Sequence, residues 1–246
     1  MKKVLWEEMR RTEIKVAAKA DAAVIIPVGS IEQHGNHLPV NTDINCSFSI
    51  AKSVAEIIDD FPVLVAPPIW WGFSPHHMRY PGTISLKLHT YIDVLTDVVA
   101  SIAAHGFKKI VLLNGHGGNI GVISSMRRQL MNLDSGESPC IGYTYFTLVD
   151  KELQAISEAD FVIGHAAEIE TSLQLYLQPE LVDKEAATWV SGVHGDPTKG
   201  TYEKGKWLFE VAVNTVATLI QDYHNGKLED ILASKCNLSR ELSKYL

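Results

Sequence analysis

The chain has 246 residues, 46% of them hydrophobic and 21% charged, a composition ordinary for a soluble globular protein with a buried core. Its formal net charge of -7 disfavours nucleic acid or an anionic membrane as a partner, because either would repel an acidic surface. No apolar stretch approaches the roughly 20 residues that span a bilayer, and the start of the chain lacks a signal-peptide core. Cys46, Cys140 and Cys236 are widely spaced and indicate reduced thiols, so we expect a cytoplasmic protein.

Apolar, β-branched runs alternate along the chain with segments of helical periodicity. The predicted strands are 22–28, 62–66, 109–113 and 140–146. The predicted helices are 44–58 with capping residues at 41–43, then 89–105, 119–134, 167–178 and 202–223, and a surface turn is predicted at 134–139. This alternation is typical of βαβ units and predicts an α/β fold with a mostly parallel sheet covered on both faces. No linker divides the chain, so we expect a single domain over residues 1–246.

Five residues of metal-ligand type stand in three motifs. They are Glu32, His34 and Asp43 in segment 27–43, His116 in Asn114-Gly-His-Gly-Gly-Asn119, and Glu168 in His165-Ala-Ala-Glu-Ile-Glu-Thr-Ser172. Carboxylates and imidazoles hold zinc, manganese or iron while leaving a position open for water. A pair of such metals generates a hydroxide nucleophile at neutral pH, which indicates a hydrolase.

The predicted strands explain how residues so far apart in sequence could meet. Glu32 and His34 follow the first predicted strand and His116 follows the third, and ligands of open α/β sheets bind beyond the carboxyl ends of strands. Glu32 and His34 are two residues apart, so in an extended segment they point to the same side. Asp43 would close the cluster from the helix start and could bridge two ions. The alternative is that 114–119 is only a turn and that His34 and His37 are surface histidines.

The motifs at 29–35, 42–43, 114–119 and 165–172 resemble those of the creatininase (creatinine amidohydrolase) family, and 81–85 and 195–197 look like further family blocks. The resemblance runs from about residue 5 to residue 220. It implies a three-layer α/β/α sandwich, a site for two divalent metal ions, hydrolysis of amide-type bonds, and a homo-oligomer that is often a hexamer. It also implies that Glu32 and His116 bind one metal, that His34 binds the other, and that Asp43 bridges them.

One departure from creatininase bears on the substrate. Creatininase has a Tyr-Glu pair after the histidine of the Asn-Gly-His motif, and that glutamate ligates the second metal, whereas this chain has Gly117 and Gly118. Another acid must replace it, and Glu168 is the first choice with Glu170 as the second. The Gly-Gly form is closer to relatives with other substrates, including a formamide hydrolase, and a ring-opening hydrolase of keto-inositols belongs to the wider family. We therefore do not expect efficient hydrolysis of creatinine.

Further candidates follow the second predicted strand and precede the last acidic motif. Trp70, Trp71, His77 and Arg79 are predicted to line a substrate pocket, or, for the aromatic residues, to pack in a subunit interface. We assign His165 to catalysis as an acid-base group beside the metals and Glu168 as a metal-binding catalytic acid, with a structural histidine as the alternative for His165.

The sequence thus predicts a metal-dependent hydrolase of a small cyclic amide, a formamide or a related carbonyl compound, in which a metal-bridging hydroxide attacks the carbonyl carbon. Two divalent ions, zinc, manganese or iron, are the expected cofactors, and a small molecule is the expected partner. A ring-opening hydrolase of a cyclic keto-sugar and a non-catalytic metal-binding protein on the same fold are the alternatives.

Overall fold

The computed structural model describes residues 2–133, 140–158 and 164–228, with 131–133 described by their backbone alone. Within these ranges there are four strands: β1 Ala23–Val28, β2 Val63–Val65, β3 Lys109–Asn114 and β4 Cys140–Thr144. The α-helices in the same ranges are α1 Arg11–Lys19, α2 Thr42–Ile57, α3 Leu88–Ala104, α4 Ile120–Leu133, α5 Tyr145–Leu148, α6 Asp150–Ile156, α7 Glu168–Leu177 and α8 Tyr202–His224.

The strands form one parallel sheet in the order β2-β1-β3-β4. Successive side chains of a strand point to opposite faces, and β1 is buried on both: Ile25 packs in the core on the side of α2 and α8, and Ile26 in the core on the side of α3 and α4. Fully buried strands are typical of parallel sheets covered by helices. The predicted three-layer α/β/α sandwich with a mostly parallel sheet is therefore confirmed.

Every predicted strand and helix is present, with ends that differ from the predicted ones by at most two residues. The strand predicted for 140–146 ends at Thr144 because Tyr145 begins α5. Helices α1, α5 and α6 were not predicted. Only Ala17 of α1 is buried, and α5 and α6 span four and seven residues, too few to establish a helical repeat in sequence.

The expectations for the cysteines, the turn at 134–139 and the domain count are tested only in part. Cys46 and Cys140 are buried, whereas Cys236 and the predicted turn at 134–139 lie outside the described residues. The single domain over residues 1–246 stays a prediction. Among the described residues, no helix combines the length and apolar character needed to cross a membrane.

The sheet brings the loops after β1 and β3 together at one edge. The two strands pair in register up to Val28 and Asn114. The loop after β3 then passes so close to the start of α2 that a Cβ added to Gly115 would lie 2.2 Å from the backbone oxygen of Asp43. Only glycine permits this approach, which sets Asp43 beside the segment that carries His116.

Candidate metal centre

Four of the predicted ligands meet in one buried cluster. Glu32, His34, Asp43 and His116 are each at most 4% exposed. The Asp43 carboxylate lies between two imidazoles, with Oδ1 3.1 Å from His34 Nε2 and Oδ2 2.9 Å from His116 Nδ1. Glu32 Oε1 lies 3.3 Å from the same His116 nitrogen. Since the four come from two strand-end loops and a helix start, their convergence agrees with the ligand set that the sequence predicted.

Hydrogen bonds outside the cluster orient both rings. His34 Nδ1 donates to the backbone oxygen of Glu32 at 3.0 Å, which turns Nε2 toward Asp43, where loss of the Nε2 proton would free a lone pair for a metal. His116 Nε2 lies 3.0 Å from Ser74 Oγ and 3.3 Å from the carbonyl oxygen of Phe73, so a proton on Nε2 leaves the lone pair of Nδ1 facing inward. Metal-binding histidines typically donate their other N–H to such a partner.

The loop that carries His116 is held by one buried side chain. Asn114 Oδ1 accepts from the backbone N–H of His116 at 3.0 Å, and Asn114 Nδ2 donates to the backbone oxygen of His116 at 2.7 Å. These two bonds explain the need for an amide, which offers one acceptor and two donors, at the end of β3.

Three of the four carboxylate oxygens of Glu32 and Asp43 lack a hydrogen bond of good geometry. Both oxygens of Glu32 and Oδ2 of Asp43 are buried without a hydrogen-bond partner among the described residues. Leaving buried acceptors unpaired is costly, more so when they are charged. A bound divalent cation would satisfy them, so the residues present fit a metal.

The electrostatics follow from this crowding of buried charges. Burial raises the pKa of Glu32 to about 7, and the nearby Asp43 carboxylate adds to the effect. Burial also opposes charge on Asp43, but His34 and His116 outweigh it and hold the pKa of that carboxyl below its usual range. Burial disfavours the charged form of His34, yet Asp43 and Glu170 keep its pKa well above the ordinary value. The carboxylates thus favour positive charge on the neighbouring imidazoles, a preference that a bound cation would satisfy in place of the ring protons.

The two acids of the His165-Ala-Ala-Glu-Ile-Glu motif have different surroundings. Glu170 lines the cavity and places Oε1 3.7 Å from His34 Nε2, while its Oε2 accepts from the backbone N–H of Ala166 at 2.5 Å. Glu168 points elsewhere: its Oε1 lies 2.5 Å from Lys204 Nζ and its Oε2 accepts from the backbone N–H of Glu158 at 2.9 Å. The geometry therefore favours Glu170, the second choice, over Glu168, because Glu168 already has a cationic partner.

The backbone at Gly118 leaves no room for a side chain beside His116. A Cβ added to Gly118 would lie 2.4 Å from His116 Nε2 and 2.5 Å from the backbone oxygen of Phe73, so a side chain there would displace the histidine. A Cβ at Gly117 would meet nothing within 4 Å. This chain cannot hold an acid at residue 118 without moving His116.

A cavity of about 300 Å³ opens onto the cluster. Its lining includes His77 and His165, whose roles as a pocket residue and an acid-base group stay predictions. His165 Nδ1 lies 3.5 Å from Glu32 Oε1, and Nε2 donates to the backbone oxygen of Gln33 at 2.8 Å. Burial lowers the pKa of His165 to about 4 and that of His77 to about 3, so both rings are neutral at pH 7.

Three predicted pocket residues do not line this cavity. Trp70 and Trp71 are 46% and 50% exposed. Arg79 is also exposed, and its guanidinium lies over the ring of Tyr80 at 4.8 Å from the centroid. The structure does not bring these three to the cluster. The alternative for the tryptophans, a subunit interface, stays a prediction, as does the oligomeric state.

Sequence reasoning missed three residues that surround the cavity. Phe146 and His194 line it, and Gln33 contacts two of its histidines. Gln33 stands between two predicted ligands, so its position was a usable signal. His194 pairs with His165 through backbone hydrogen bonds of 2.9 Å in both directions, a contact that no local spacing could reveal.

Comparisons with known proteins agree with this geometry. The creatininase family, described as creatinine amidohydrolase, matches residues 7–220. The mycofactocin precursor peptide peptidase of Mycolicibacterium smegmatis is 31% identical, with 83% of this chain and 88% of the relative covered. The 3-dehydro-scyllo-inosose hydrolase of Thermotoga maritima is 33% identical over 75% of this chain and 59% of the relative. A manganese form of creatininase superposes with a TM-score of 0.76, at 28% identity over 90% of this chain and 98% of that one.

Proposed function

The chain belongs to the creatininase family, and we propose that it is a binuclear metal-dependent hydrolase of a small cyclic amide, a formamide or a related carbonyl compound. Its similarity to several hydrolases of this family supports metal-dependent hydrolysis of amide-type bonds. The similarity to a manganese form of creatininase, together with the cluster of histidines and carboxylates, supports a divalent metal cofactor. The number of ions and the substrate class are the finer parts of the proposal.

The observation that carries the proposal is the position of Asp43 between two histidine nitrogens, each of which also lies near a second carboxylate. We infer that Glu32, Asp43 and His116 would hold one ion, and that His34, Asp43 and Glu170 would hold the other. The ligand atoms of Glu32, His34 and Asp43 lie within 4.8 Å of one another, close enough for a shared site. When bound, such ions would lower the pKa of a water molecule to about 7 and would polarise the substrate carbonyl.

The remaining chemistry belongs to His165. Since its Nε2 donates to the backbone oxygen of Gln33, the neutral ring presents an unprotonated Nδ1 to the cavity. Nδ1 can accept a proton from the attacking water and then return it to the leaving nitrogen as the carbon–nitrogen bond breaks. His165 is thus first a base and then the acid that the sequence predicted.

The cavity restricts the substrate. A volume of about 300 Å³ stands at the lower end of ligand pockets and fits a small molecule. Glycine at residues 117 and 118 removes both the aromatic residue and the acid that creatininase carries there. We therefore expect slow or absent hydrolysis of creatinine. A ring-opening hydrolysis of a cyclic keto-sugar stays the second candidate because of the similarity to 3-dehydro-scyllo-inosose hydrolase.

The test is a substrate screen with zinc- and manganese-loaded protein. The panel contains lactams, formamides, cyclic keto-sugars, short peptides and creatinine, and His165→Gln serves as the matched control. We expect chelator-sensitive hydrolysis of one carbonyl class that His165→Gln lowers by roughly 10²–10⁴-fold, the range of general acid-base catalysis. Rapid creatinine turnover would contradict the assigned specificity. Absence of hydrolysis across the panel, with metal bound, would favour a non-catalytic metal-binding protein.

A further inference from the structure

Gln33 holds its side-chain amide in one orientation. The side chain is 7% exposed. Its Oε1 accepts from the backbone N–H of Gly35 at 3.0 Å, and its Nε2 donates to the backbone oxygen of Gly192 at 2.8 Å. A flipped amide would place oxygen against oxygen at Gly192 and N–H against N–H at Gly35. One amide N–H therefore remains, and it is directed at the histidines of the cavity.

Two histidine nitrogens lie within reach of that remaining N–H, but only one can accept it. His77 Nδ1 is 3.1 Å and His165 Nε2 is 3.0 Å from Gln33 Nε2. His165 Nε2 also lies 2.8 Å from the backbone oxygen of Gln33, which is only an acceptor, so this nitrogen carries a proton. The amide N–H must then go to His77 Nδ1, which places the His77 proton on Nε2.

As a consequence, His77 presents an N–H donor and His165 presents an unprotonated nitrogen to the same carboxylate oxygen of Glu32. The two rings stack with centroids 4.2 Å apart, and His77 Nε2 and His165 Nδ1 lie 3.8 Å and 3.5 Å from Glu32 Oε1. We propose that Gln33 is a positioning residue that fixes His77 as a hydrogen-bond donor through Nε2, beside His165 as an acceptor through Nδ1. His77 then offers no lone pair to a metal.

This arrangement assigns His77 a role in recognising the substrate. An N–H group directed into the cavity beside the metal cluster can donate to the carbonyl oxygen and to the negative charge that develops on it during attack. His165 can receive the proton of the attacking water at the same time, because its unprotonated Nδ1 lies near the same Glu32 oxygen as the N–H of His77. This inference rests on the proposed hydrolase function and adds a recognition element for an acyl oxygen.

Nitrogen NMR of the histidines tests the proton positions without any assay of hydrolysis. In the zinc-loaded protein we expect His77 with its proton on Nε2 and His165 with its proton on Nε2 as well. Gln33→Met removes the amide but keeps the backbone oxygen that binds His165. His77 should then lose its single form while His165 keeps it, so His165 is an internal control for the fold. His77 with a proton on Nδ1, a zinc-bound His77 Nε2, or an unchanged His77 in Gln33→Met would overturn the proposal.

Kinetics then test the role of the donor. His77→Phe removes the N–H, and we expect a loss of about 10²–10³-fold in kcat, the range for one oxyanion donor. His77→Gln can place an amide N–H near the same position and should restore much of that loss. Equal loss in both variants would overturn the donor role. If the wild type hydrolyses nothing, the proposed function fails, whereas the NMR result still decides the role of Gln33.

Discussion

Glu168 and Glu170 stand two positions apart on the first turn of α7, and both are buried, yet their surroundings are opposite. Glu168 contacts the Lys204 ammonium, while Glu170 faces His34 in the cavity. Residues two apart on a helix point to different sides, so the motif directs one acid to a lysine of α8 and the other to the buried histidine cluster. Burial and residue type therefore do not identify a ligand. Glu168 and Glu170 differ in whether a lysine of the protein already neutralises the carboxylate, as Lys204 does for Glu168.

The largest expected effect concerns the residue that both proposed metal sites share. Asp43→Ala should lower the affinity for both ions by more than about 100-fold, beyond the 10–100-fold loss typical of residues that only orient ligands. His34→Ala should weaken mainly one ion. Metal analysis of both variants after dialysis checks this, and full occupancy in Asp43→Ala would remove Asp43 from the bridging role.

The next effect concerns the glycine pair beside His116. Gly118→Ala should lower metal affinity by roughly 10–100-fold, as for a change that disorients a ligand, because the new Cβ meets His116 Nε2 at 2.4 Å. Gly117→Ala is the matched control and should bind metal as the wild type does. Competition with a chelating dye measures both affinities. Equal behaviour of the two variants would show that the space at Gly118 does not position His116.

A smaller effect is expected on stability. Glu168→Gln leaves Lys204 with the exposed Glu158 as its remaining carboxylate partner, and we expect a loss of about 1–3 kcal/mol in the free energy of unfolding. Glu158→Gln is the control and should cost at most about 1 kcal/mol, since Glu158 is 58% exposed. Urea unfolding of the chelator-treated variants measures both. A Glu158→Gln variant as unstable as Glu168→Gln would contradict a structural role specific to Glu168.

The sequence predicted the sheet and its long helices because their apolar residues recur at regular spacing. It also predicted the convergence of Glu32, His34, Asp43 and His116, because parallel strands end at one edge of a sheet. Short helices such as α5 carry no repeat that could be recognised.

The choice between Glu168 and Glu170 could not be made from the sequence. It depends on Lys204, which lies 36 residues beyond Glu168 and reaches it only through the packing of α8 on α7. The direction of Trp70, Trp71 and Arg79 likewise depends on the backbone of an irregular segment, where position after a strand does not fix which way a side chain points.

The metal content of Glu170→Gln and Glu168→Gln, measured side by side on zinc-loaded protein, tests the central claim most directly. We expect Glu170→Gln to keep about one ion per chain and Glu168→Gln to keep about two, as in two-metal hydrolases, since only Glu170 faces the cluster. Two ions in Glu170→Gln and one in Glu168→Gln would contradict the assignment of Glu170 as the ligand that completes the second site.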